Sequence, residues 1–117
     1  MLRLAIFLGL MAMPVAAQEA ANAAGGVLRV LDKITGVVTD LELREGEVRN
    51  VGLLSIMLTE CRYPVDNPAG DAYEMLIIRY REVEDPVFMG WMIASAPALN
   101  AMDHPRYDVW ALRCMMS

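Results

Sequence analysis

Turn-forming residues recur every eight to twelve positions from Thr35-Gly36 onward, and a chain divided that way has room for strands but little for helices. Thr35-Gly36, Glu45-Gly46, Asn50–Gly52, the Tyr63–Asp71 stretch with its two prolines, and Glu84-Asp85-Pro86 are the punctuation. Between them lie the strand segments Val27–Ile34, Val37–Leu43, Ala72–Val83, Val87–Ala94 and Tyr107–Cys114. Val37, Thr39, Leu41 and Leu43 alternate with Val38, Asp40 and Glu42, the period of a half-buried strand. Val48–Glu60 reads as a strand pair turning near Asn50–Gly52. In the last strand, strict alternation puts Tyr107, Val109, Ala111 and Arg113 on one face and Asp108, Trp110, Leu112 and Cys114 on the other.

One segment breaks the pattern. Pro97 suits the first turn of a helix, Ser95 can cap it, and Ala98, Leu99, Ala101 and Met102 fit a short helical face. Pro105 ends it, because the residue before a proline is pushed out of the helical region. The expected fold is all-β: a compact antiparallel sandwich or barrel of six to eight short strands, with one short helix in the C-terminal third.

The first seventeen residues are not expected to join that fold. Arg3 gives a positive start, Leu4–Met13 is an apolar run of ten, Pro14 breaks it, and Val15-Ala16-Ala17 is a small-residue cleavage pattern. The run is far short of the roughly 20 residues that span a bilayer. Residues 1–17 therefore read as a secretory signal peptide cleaved near Ala17, with no transmembrane segment left afterwards, and the periplasm as the destination. Residues 18–26, rich in Ala and Gly, read as a flexible lead-in, and 27–117 as a single β domain.

Removing Arg3 leaves nine basic and fifteen acidic residues, a net charge of −6, with Lys33 the sole lysine. Nucleic acid is excluded as a partner, since phosphate binding needs clustered Lys and Arg. Two cysteines, Cys61 and Cys114, are expected to pair in an oxidising compartment. A bridge closing more than fifty residues is worth about 4 kcal/mol on the chain-entropy model.

Candidate chemistry is sparse. Ser95, His104 and Asp108 are the residue types of a nucleophile triad, but Ser95 lacks the Gly-x-Ser-x-Gly setting. Met102, Asp103, His104 and Asp108 could ligate a metal, yet one histidine with no Met-x-x-Met repeat argues against copper, and Met more often fills cores. Glu82, Glu84 and Asp85 read as a solvated rim. No catalytic residue, metal or cofactor is assigned. The aromatic residues Trp91, Tyr107 and Trp110 remain. Aromatic side chains either fill a small core or anchor a partner. With Ser95, His104 and Asp108 they form the candidate binding set.

Two stretches are family signatures. Gly90-Trp91-Met92, Ala94-Ser95, Pro97–Ala101 and His104-Pro105 followed by Tyr107–Trp110, Leu112 and Cys114 resemble the C-terminal signature of a small secreted alphaproteobacterial family, the domain of unknown function 2155 family. Leu31–Gly36 with Thr39-Asp40 resembles its N-terminal segment, so the likeness spans Val27 to Cys114; Met115, Met116 and Ser117 fall outside it. The resemblance implies a secreted single-domain protein and brings no catalytic residues or cofactor. The expected function is a non-catalytic periplasmic binding or accessory module whose partner is another envelope protein. The alternative is a small envelope enzyme or metal-binding protein using His104 with nearby carboxylates.

Overall fold

The computed structural model describes residues 19–116, so the expected signal peptide lies outside the described residues. Eight strands form among the described residues: β1 (Ala20–Asn22), β2 (Gly25–Asp32), β3 (Val38–Arg44), β4 (Val48–Val51), β5 (Leu54–Pro64), β6 (Tyr73–Tyr80), β7 (Phe88–Ile93) and β8 (Tyr107–Met115). They make two antiparallel sheets. One runs β1-β5-β6-β7, with β4 also paired to β5; the other runs β3-β2-β8. Among the described residues no helix is long and apolar enough to cross a membrane.

The sheets bury one face each. Leu28, Leu41, Leu43 and Val109 from the three-stranded sheet meet Leu54, Ile56, Leu58, Leu76 and Ile78 from the five-stranded one. At the β4–β5 turn, Gly52 takes a positive φ of 55°. A side chain there would also collide, since a Cβ would lie 2.6 Å from the Tyr107 hydroxyl. That hydroxyl accepts the Leu53 N–H at 3.1 Å, so the turn of one sheet is pinned by a buried tyrosine of the other.

Two bulges change which residues face inward. In β5, Leu58 opposes Leu76 but Glu60 opposes Met75, leaving Thr59 extra. In β8, Ala111 opposes Leu28 but Arg113 opposes Val27, leaving Leu112 extra. Each bulge shifts the alternation by one residue. After it, Cys61 and Cys114 face the interior, where they form a disulfide across 53 residues of chain. Strict alternation had put Cys114 on the face opposite Tyr107; the Leu112 bulge corrects that.

The expected short helix over Ser95–Met102 does not form. A three-residue 3-10 turn, Pro97–Leu99, stands in its place, and no side chain caps it. The Ser95 hydroxyl donates instead to Asp71 Oδ2 at 2.6 Å. Asn100 is extended, and its side-chain amide donates to the Trp91 carbonyl at 2.9 Å. Both polar side chains are thus spent elsewhere, Ser95 on the loop before β6 and Asn100 on the backbone of β7. Part of the segment read as a lead-in is regular: Ala20–Asn22 pairs with Arg62–Pro64 as β1, and Gly25-Gly26 opens β2.

Candidate functional site

The sequence-selected residues do not converge on one site. His104 is buried, and its Nδ1 accepts the backbone N–H groups of Arg106 at 3.0 Å and Tyr107 at 3.2 Å. Its ring packs 4.5 Å from Tyr80 and 5.8 Å from Tyr107, centroid to centroid. One nitrogen is committed to the backbone and the ring is wedged between tyrosines, so His104 is a strut for the turn into β8. Asp108 turns away to pair with Lys33 Nζ at 3.4 Å. Lys33 also donates to the His104 carbonyl at 2.7 Å. Arg106 reaches Asp32 at 3.0 Å and holds that carboxyl below the usual carboxylate range, with the Ile34 and Thr35 amides helping. The two signature segments of the sequence, Leu31–Gly36 and His104–Asp108, are therefore one junction.

Ser95 sits elsewhere, at the rim of a cleft of about 410 Å³ lined by Asp71, Ala94, Leu112, Cys114 and Met116. Its N–H and hydroxyl both donate to Asp71, at 3.0 and 2.6 Å. Trp110, on β8, is half-buried opposite Arg29. Glu82 and Glu84 line a cleft of about 440 Å³ with Arg79 and Arg81, beyond the β4–β5 turn. Among the described residues no group of three or more His, Cys, Asp or Glu side chains could hold a metal.

Trp91 lies on the outer face of the five-stranded sheet. The pleat that sends Phe88 and Met92 inward sends Met89, Trp91 and Ile93 outward, as it does Tyr73, Met75 and Ile77 on β6. The register makes these residues contiguous. Val48 opposes Met57, Met57 opposes Ile77, and Ile77 opposes Met89. Met75 opposes Trp91, and Tyr73 opposes Ile93. Met89 is 63% exposed, Val48 53% and Trp91 36%. At one end a shallow apolar groove of about 280 Å³ is lined by Ala20, Arg62, Tyr73, Trp91 and Ile93. Glu60, opposite Met75, and Arg62, opposite Tyr73, stand on the same face beside this apolar patch. The described residues leave the patch uncovered, an unusual feature on a small domain.

Sequence reasoning missed Glu74. It is fully buried on the inner face of β6, beside Leu76 and Ile78, and neither carboxylate oxygen has a hydrogen-bond partner among the described residues. Burial pushes its carboxyl up to about 9. The Leu112 amide, at the β8 bulge, pulls weakly the other way without reaching hydrogen-bond geometry. Glu74 opposes Cys61 in the register, and Gly26 opposes Cys114. A Cβ on Gly26 would lie 3.1 Å from Glu74 Cδ and 3.2 Å from both Glu74 Oε2 and Cys61 Sγ. The only available signal was the period-2 placement of Glu74 with Leu76 and Ile78.

Residues 26–114 match the family described as "Uncharacterized protein conserved in bacteria (DUF2155)". A relative named "Uncharacterized protein RP359", from Rickettsia prowazekii (strain Madrid E), is 33% identical over 99 residues, 82% of this chain and 64% of the relative. The chain thus spans less than two thirds of that relative's length. No solved structure matches.

Proposed function

We propose, for a chain that belongs to the bacterial family DUF2155, the role of a non-catalytic accessory module of the periplasm that docks another envelope protein. The observation that carries this reading is the outer face of the five-stranded sheet. There Val48, Met57, Ile77, Met89, Met75 and Trp91 lie side by side across β4 to β7, with Glu60 beside them opposite Met75. Burying apolar area yields about 25 cal/mol per Å², and an exposed tryptophan such as Trp91, on the edge strand β7, is a typical anchor for such energy. The adaptable methionines around it suit a partner surface. The leader-like residues 1–17 and the Cys61–Cys114 disulfide support an exported, oxidising setting.

The test is affinity purification from the envelope fraction with wild-type protein and a Trp91→Ala variant of matched stability. The reading expects a stoichiometric protein partner with wild type and at least a tenfold loss with the variant, about 1.4 kcal/mol or more. Equal recovery by both would remove this face from the docking role.

A further inference from the structure

The disulfide is asymmetric. Cys61 is fully buried, whereas Cys114 is half-buried and lines the 410 Å³ cleft beside Ser95 and Met116. Behind the disulfide, Cys61 Sγ and Glu74 Oε2 border the same narrow space beside Gly26, where a methyl carbon would lie only 3.2 Å from each. Among the described residues Glu74 has no hydrogen-bond partner, so its proton is uncommitted. A disulfide with one sulfur at a cleft and the other next to a buried, unpaired carboxyl has the parts of an exchange site: an entry side, and a proton source for the sulfur that leaves.

We infer that Cys61–Cys114 is a thiol-exchange site, attacked at Cys114 by a peptide-borne cysteine thiolate, with Glu74 as proton donor to Cys61. The incoming thiolate forms a bond to Cys114 Sγ as the Cys61–Cys114 bond breaks. The electron pair of that bond goes to Cys61 Sγ, and the Glu74 proton moves to the same sulfur. The products are a mixed disulfide at Cys114, a Cys61 thiol and a Glu74 carboxylate, which regains its proton from water. A second thiolate on the partner then attacks its own sulfur in the mixed disulfide and releases Cys114 as a thiolate. The partner is oxidised by two electrons and the protein's disulfide is reduced. An isolated thiolate at Cys61 would be costly in an apolar interior. With Glu74 beside it, the one negative charge that enters is shared between sulfur and carboxyl. The groups facing Glu74 are Gly26 from β2, Cys61 from β5, Met92 from β7 and the Leu112 amide from β8. None of them brings a competing charge while the disulfide is closed.

The test uses purified oxidised protein with reduced glutathione as the probe. Mass spectrometry maps the adduct, and the rate per glutathione thiolate is followed from pH 6 to 10 for wild type and Glu74→Gln. The expected adduct is on Cys114 of folded protein. The normalised wild-type rate falls by about tenfold between pH 6 and pH 10 as Glu74 loses its proton, within the reach of a positioned acid, and the Glu74→Gln profile is flat. A merely structural Glu74 would leave both profiles the same shape. An adduct on Cys61, an adduct formed only on unfolded protein, no adduct, or matching pH profiles would overturn the inference.

Discussion

Glu74 stands opposite Cys61 in the β5–β6 register, and its unpaired carboxyl shares with the disulfide a gap that Gly26 leaves open. The sign of its effect on stability follows. Folded, the carboxyl keeps its proton up to about pH 9. Unfolded, it loses it near pH 4.3. Its contribution is therefore fully present below the unfolded value and is lost as pH rises toward 9. The slope is about 1.4 kcal/mol per pH unit while the two states differ by one proton. Asp32, Asp40 and Glu47 carry lowered values and act oppositely, losing stability as pH falls below the ordinary carboxylate range. Denaturant titrations from pH 5 to 8.5 should show wild-type stability falling and Glu74→Gln holding level. A wild type that gains stability over that range contradicts the buried, protonated carboxyl.

Gly26 is the second test of the same cluster. A methyl group there would press on Glu74 and Cys61 at 3.1–3.2 Å. Gly26→Ala should cost about 1–3 kcal/mol, the usual range for overpacking. Combining it with Glu74→Ala should recover part of that loss, because the two changes share one space. Strict additivity in thermal or chemical denaturation would mean the gap is not shared.

His104 separates a strut from a site. Its Nδ1 accepts two amides and its ring fills space between Tyr80 and Tyr107. His104→Ala leaves buried donors unpaired and should cost about 2–3 kcal/mol. Partner recovery should be unchanged once the variant is folded. Loss of a bound metal or small molecule with no loss of stability would give His104 the other role.

The strand layout was legible in the sequence because turn residues and period-2 alternation mark strands directly. Leu41 and Leu43 face the core as their alternation with Asp40 and Glu42 requires. Three features were not legible, each for a physical reason. Bulges at Thr59 and Leu112 invert the alternation, and nothing in either residue type announces a bulge. Strand β6 is apolar on both faces, so alternation alone could not say whether Glu74 or Met75 turns inward. The helix over Ser95–Met102 lost to tertiary contacts, with Ser95 taken by Asp71 and Asn100 by the Trp91 carbonyl. The candidate set dispersed for a related reason: His104, Trp91 and Trp110 are near in sequence but belong to a turn, one sheet's outer face and the other sheet.

The central claim is that the outer face around Trp91 is a docking surface. The most direct measurement is site-specific photocrosslinking in living cells. One photoreactive residue replaces Met89, on that face, and another replaces exposed Glu42, on the outer face of the other sheet. The account predicts a discrete crosslinked partner from position 89 and none from position 42. No crosslink from 89, or the same products from both positions, would contradict it.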